Sequence, residues 1–202
     1  MLVPETSAIT AVSELKGKRI AFAKGSSSHN FTVQVLKQAG IAFSEITPVH
    51  LSPADAAAAF ARGAVDAWTI WDPFFALAEK NQKARPIARI EGVVPSHSFY
   101  LANRRFAAAH PHVLKAALGE LAQVGEWAEA NRNALAEILA DVTGVDVEAQ
   151  RVAVSRARYR VGPLTAEAIA NQQLIADEFH RLGLIPRTIN VRDAAWTQPT
   201  AS

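Results

Sequence analysis

The chain has 202 residues, half of them hydrophobic, with 21 basic and 19 acidic side chains and a formal charge of +2. That length allows one large domain or two small ones around a real core, and the near balance of charge argues against nucleic acid or an anionic membrane as a partner. There is no cysteine, which excludes disulfides, thiolate nucleophiles and cysteine-based metal sites.

In chain order, Met1 to Pro4 reads as the end of a strand. Val12 to Leu15 reads as a short helical turn stopped at Gly17. The run Arg19-Ile20-Ala21-Phe22-Ala23 predicts a buried strand, and Phe31 to Ala39 a helix closed by Gly40. Ile46 to Val49 predicts a second strand. Ser52-Pro53-Ala54-Asp55 then opens a helix, with serine as cap, proline at the first position and an acid in the first turn. That helix runs from Ala54 to Arg62 and ends at Gly63. Ala67-Trp68-Thr69-Ile70 predicts a third strand, and Asp72-Pro73 opens a helix to about Lys80. Ile87 to Ile90 and Ser98 to Ala102 are predicted as further strands. Strands alternating with short helices imply a parallel or mostly parallel sheet, with ligands beyond the carboxyl ends of its strands.

After Asn103 the texture becomes helical. Leu114, Ala117, Leu118, Leu121 and Val124 recur at helical spacing, as do Leu135, Ile138, Leu139 and Val142 before Gly144. Asp146 predicts a cap for a helix through Val154. Thr165 predicts one for a helix that carries Ile169, Ile175, Phe179 and Leu182 and ends at Gly183. No internal repeat or low-complexity linker occurs.

Two loops carry chemistry at predicted strand ends. In Lys24-Gly25-Ser26-Ser27-Ser28-His29-Asn30 a glycine and three serines stand where a strand hands over to a helix. Helix N-termini have unpaired N–H groups and a positive dipole end, so this is a candidate anion seat. One serine acting as a plain cap is the alternative. Neither a nucleotide P-loop nor a dinucleotide-binding glycine pattern is present. His29 is read either as a donor to the anion or as part of the capping turn, and Lys24 as a surface lysine. In the second loop, Trp71 is a candidate to cover an alkyl tail, and Asp72 either caps the next helix or pairs with a ligand amine. Trp68 reads as core. His110 and His112 mark a helix start without a third metal ligand. Arg156, Arg158 and Arg160 read as a solvated basic patch.

The segment Leu15-Lys16-Gly17-Lys18-Arg19-Ile20-Ala21 with Lys24 to Asn30 resembles the aliphatic-sulfonate-binding proteins of ABC importers. So do Leu51 to Ala56, Phe60, Gly63 to Trp68 and Ile70-Trp71-Asp72-Pro73. The helical part, with Tyr159, Leu182-Gly183 and Trp196, is similar but less specific. The resemblance implies a periplasmic-binding-protein-like α/β fold, in which ligand lies in a cleft between two lobes. It further implies that residues 1–103 are one complete lobe with both hinge crossings, and that 104–202 are the helical remainder of another lobe whose N-terminal part is lacking. Gly25, Ser26, Ser27, Ser28, His29, Trp71 and Asp72 become the expected ligand-binding residues. No catalytic residue, cofactor or metal is expected.

The function implied is the substrate-binding component of an importer, with an alkanesulfonate and ABC permease subunits as partners and no membrane insertion. Taurine, nitrate, or a truncated remnant that binds nothing are the alternatives. A desulfinase resembling these proteins uses a cysteine nucleophile, which this chain lacks. The resemblance implies the periplasm. Met1-Leu2-Val3-Pro4-Glu5, however, has no basic region followed by an apolar core, so the sequence as written predicts no signal peptide. No run is apolar enough to span a bilayer.

Overall fold

The computed structural model describes residues 1–95 and 97–196. The described residues form two compact units, 1–95 with 136–155 and 97–135 with 156–196. Residues 96 and 197–202, which the expected division into 1–103 and 104–202 includes, lie outside the described residues.

The first unit is built on a five-stranded sheet. Its strands are β1 (Leu2–Pro4), β2 (Arg19–Phe22), β3 (Thr47–His50), β4 (Ala67–Trp68) and β5 (Ala84–Pro86). The order is β3-β2-β4-β1-β5. β2 runs parallel to β3 and β4, while β1 is antiparallel to β4 and β5. The pleat sends alternate residues to opposite faces. Met1, Val3, Ile20, Phe22 and Ala67 therefore join one apolar cluster, and Leu2, Ala21 and Trp68 join the other. Helix α1 (Ser27–Gln38) covers the first face with Phe31, Val35 and Leu36. Helices α2 (Pro53–Ala61) and α3 (Phe74–Asn81) cover the second with Ala56, Ala59, Phe60, Phe75 and Ala78. Both edge strands contain proline, Pro48 on β3 and Pro86 on β5, where a missing N–H disturbs no inner ladder.

The predicted caps form. Ser52 Oγ accepts from the Asp55 amide at 3.3 Å and opens α2. The strand expected over 87–90 instead pairs earlier, at Ala84–Pro86, in register with Pro4, Val3 and Leu2. Beyond it the contact continues through Met1 alone, whose carbonyl accepts from the Ile87 amide and whose terminal ammonium donates to the Ala88 carbonyl at 2.8 Å. Residues 98–102 form no strand, because no neighbouring strand takes up their ladder bonds among the described residues.

Helices α4 (Arg104–Ala109) and α5 (Pro111–Ala130) follow, then α6 (Arg132–Thr143), α7 (Val147–Arg156) and α8 (Ala166–Arg181). The boundary between the two units falls inside α6. Asp146 Oδ1 accepts from the Glu148 and Ala149 amides to cap α7, and also meets Lys80 Nζ at 2.6 Å. Thr165 Oγ1 caps α8 through the Ala168 amide. In the helical unit Val113, Val124 and Trp127 of α5 and Leu174 of α8 are exposed. A short segment there lies directly on α5. The Tyr159 amide donates to Glu129 Oε1 at 2.7 Å, Glu129 pairs with Arg132, and Arg132 Nη1 donates to the Ala157 carbonyl.

Candidate functional site

The connections define where the sheet opens. α1, between β2 and β3, covers one face, whereas α2, between β3 and β4, covers the other. The chain therefore reverses its winding direction at the β2–β4 pair. In open α/β sheets the carboxyl ends of such a pair frame a crevice that ligands use. The loop after β2 carries Gly25 to Ser28, and the loop after β4 carries Trp71 and Asp72. The structure thus brings both predicted loops to the carboxyl ends of adjacent strands.

The three serines divide into different roles. Ser26 is the N-cap of α1, and its Oγ accepts from the His29 amide at 3.3 Å. Its single hydroxyl proton goes to the Ala23 carbonyl at 2.7 Å. The Ser28 hydroxyl, 2.7 Å away, must then be the donor in the Ser26–Ser28 contact. Ser27 is exposed, and its hydroxyl has no such bond among the described residues. The Ser27 and Ser28 amides open the helix, where no carbonyl four residues back belongs to it. Gly25 just before them has φ of 75°, a left-handed conformation that glycine adopts without cost.

His29 faces inward. Its side chain is 1% exposed, and its ring lies 4.7 Å from Phe22, 5.4 Å from Phe43 and 5.8 Å from His50 between centroids. Nδ1 accepts from the Gly25 amide at 3.1 Å. Burial, with His50 and Lys24 adding positive charge nearby, pushes its pKa down to about 4. The imidazole is therefore neutral near pH 7, with its proton on Nε2.

The two loops are tied beneath the surface by residues that have no sequence signal. Thr32 Oγ1 lies 2.8 Å from the Ser28 carbonyl and 3.0 Å from Thr69 Oγ1. Both threonines are almost fully buried. The Thr69 amide donates to the Ala21 carbonyl, so β4 is still anchored to β2 as the second loop leaves it.

In the second loop Trp71 is 37% exposed and stands edge-on to Phe74 at 6.5 Å. Asp72 Oδ1 accepts from the Ala76 amide at 3.1 Å, which is a capping bond on the first turn of α3. Of the two roles left open for Asp72, this contact favours the cap. Asp72→Ala is expected to cost about 1 kcal/mol, whereas Asp72→Asn, which keeps an acceptor, should leave the thermal midpoint near wild type. Equal loss in both variants would mean that the charge, not the cap, is what matters.

Elsewhere, α5 starts at Pro111 just after His110, as the sequence predicts. No group of three metal-ligating side chains occurs among the described residues. Arg156, Arg158 and Arg160 are exposed.

Residues 1–132 match the family model described as NMT1/THI5 like. A curated relative from Escherichia coli K12, named as an aliphatic sulfonates-binding protein, is 37% identical over 99% of this chain, which spans 63% of that relative. The crystal structure of the periplasmic aliphatic sulphonate binding protein of Escherichia coli superposes with a TM-score of 0.91 at 34% identity, covering all of this chain and 66% of that one. The alkanesulfonate-binding protein of Xanthomonas axonopodis pv. citri, bound to MOPS, gives a TM-score of 0.87 at 40% identity over 96% of this chain and 68% of its own. This chain thus spans less than two thirds of the length of the Escherichia coli relative. The family model covers well over half of the sequence and the structural likeness runs along nearly all of it, so the chain belongs to the NMT1/THI5-like family, with the periplasmic-binding-protein-like α/β fold.

Proposed function

We propose that the chain acts in the substrate-binding component of an ABC importer for aliphatic sulfonates, without catalysis. The sulfonate sits on the first turn of α1, at Gly25, Ser26, Ser27 and Ser28. The observation that carries this is the pair of helix-opening amides beside the exposed Ser27 hydroxyl, placed where the sheet changes winding direction. Three donors match the three oxygens of a sulfonate. A sulfonate stays ionised at any ordinary pH, so dipoles and hydrogen bonds hold it without a titrating partner. Trp71 supplies apolar area for the alkyl chain, and Asp72 supports the loop that presents it. The relative bound to MOPS, whose anionic end is a sulfonate, supports the same ligand class. The permease subunits of the importer are the macromolecular partner, and the periplasm is the compartment, as in the name of the Escherichia coli protein.

Thermal unfolding with alkanesulfonates of increasing length, taurine, nitrate and sulfate tests this. A ligand that binds only the folded state stabilises it by about 2.7 kcal/mol at a hundredfold excess over its dissociation constant. Alkanesulfonates are expected to raise the midpoint while nitrate and sulfate leave it unmoved. A rise with nitrate or taurine alone would replace the ligand class, and a cooperative transition that no ligand moves would remove the binding function from this chain.

A further inference from the structure

We infer that His29 is a positioning residue for the sulfonate seat, acting through the Gly25 amide and not by touching the ligand. This rests on the sulfonate-binding function proposed above and assigns one residue of that site a different task from its neighbours.

The geometry is specific. The Gly25 amide donates to Nδ1 at 3.1 Å, so Nδ1 presents a lone pair and cannot at the same time donate to an anion. The His29 backbone amide donates to Ser26 Oγ at 3.3 Å. One residue thus holds Gly25 through its side chain and Ser26 through its backbone, and these two immediately precede the proposed donors. Glycine is the residue with most backbone freedom to lose, and Gly25 sits at positive φ where nothing would obstruct a Cβ. The Ser26 amide and hydroxyl both donate to the Ala23 carbonyl and close the turn locally, and the imidazole adds a tie from outside the turn to the Gly25 amide itself.

The tie itself is rigid. Phe22 comes from β2, Phe43 from the turn before β3, and His50 from the end of β3, and together they pack around the ring. Burial and the nearby bases His50 and Lys24 all disfavour a charge on the ring. That environment keeps the imidazole neutral and its Nδ1 an acceptor. The sheet therefore fixes the ring, the ring fixes Gly25, and Gly25 fixes the entry to the first turn of α1. Pre-organisation of this kind lowers the ordering cost when a ligand binds.

Two substitutions separate the acceptor from the ring. His29→Phe keeps an aromatic ring among Phe22, Phe43 and His50 but has no acceptor. His29→Asn keeps an acceptor near the Nδ1 position and loses the ring. The probe is hexane-1-sulfonate, titrated calorimetrically against the full chain, with thermal midpoints and hydrogen exchange at the Gly25 amide measured alongside. His29→Phe is expected to lose Gly25 protection and bind about tenfold more weakly, with the smaller change in midpoint. His29→Asn is expected to lower the midpoint more, yet keep Gly25 protected and bind within about threefold of wild type. Protection and affinity unchanged in His29→Phe would overturn the proposal. So would losses of affinity that follow the midpoints of the two variants instead of Gly25 protection. If wild type does not bind hexane-1-sulfonate while Gly25 protection still follows the acceptor, the sulfonate reading fails and the loop-positioning role of His29 stands.

Discussion

Gly125→Ala is expected to destabilise the chain by about 3 kcal/mol, lowering the thermal midpoint by roughly 9 °C. Gly125 lies within α5 and is buried. A Cβ added there would meet the Tyr159 carbonyl oxygen at 2.2 Å, with Tyr159 C at 3.3 Å and Val161 Cγ2 at 3.4 Å. The obstacle is backbone, and it cannot swing aside as a flexible side chain could. One turn further along α5, Glu129 Oε1 takes the Tyr159 amide. That N–H and the neighbouring Arg132 hold the Glu129 carboxyl below its ordinary pKa. Arg132 in turn donates to the Ala157 carbonyl and lies 5.9 Å from the centre of the Tyr159 ring. Relieving the clash means lifting Tyr159 off α5 and stretching these bonds together. Gly119 provides the control in the same helix, because a Cβ there meets nothing within 4 Å. Gly119→Ala is therefore expected to stabilise the chain by about 0.5–1 kcal/mol through helix propensity. Two shifts of the same sign in thermal or urea unfolding would contradict the packing of Tyr159 on α5.

What the sequence makes legible is set by how local the cause is. Ser52, Asp146 and Thr165 announce their helices because a cap and its amides lie within three residues. The alternation of Ile20, Ala21 and Phe22 shows a strand buried on both faces. The end of the sheet is less legible, because strand identity depends on the partner. The apolar run 87–90 attracts the prediction, yet β1 is only three residues long and pairs with Ala84–Pro86. The candidate site divides in the same way. The run Gly25 to Ser28 at a strand–helix junction marks an anion seat, but three adjacent serines look alike in sequence. Only their hydrogen bonds distinguish Ser26 as the cap, Ser28 as its donor and Ser27 as the exposed hydroxyl. Thr32 and Thr69 are 37 positions apart and belong to no motif, so their contact has no sequence signature. The orientation of His29 depends on Phe43 and His50, which approach only when β3 docks beside β2.

Acid should weaken this fold before its carboxylates are protonated. The His29 pKa, ordinarily 6.5, falls to about 4 in the folded chain. Between those values the unfolded chain binds a proton that the folded chain refuses, so stability rises with pH across the window. The contribution is fully present above about pH 6.5 and is lost as the pH falls to about 4, amounting to about 3 kcal/mol. Glu45 and Asp66, held below their ordinary values of 4.5 and 3.8 by Lys16 and Arg19 respectively, begin to lose their contribution near those ordinary values and go on losing it at lower pH. His50 is also pushed down by burial and by Lys24, so the wild-type curve alone would merge two histidines. Urea unfolding of wild type and His29→Phe at intervals from pH 7 to pH 4 separates them, because the other groups largely cancel in the difference. Wild type is expected to lose about 3 kcal/mol more than the variant over that range. Parallel curves would mean that the imidazole titrates alike in both states, which is incompatible with a neutral ring enclosed by Phe22, Phe43 and His50. The loss has a local consequence as well. A proton on Nδ1 takes the lone pair that receives the Gly25 amide, so protonation should free the loop before α1 in the same step that weakens the core beneath it.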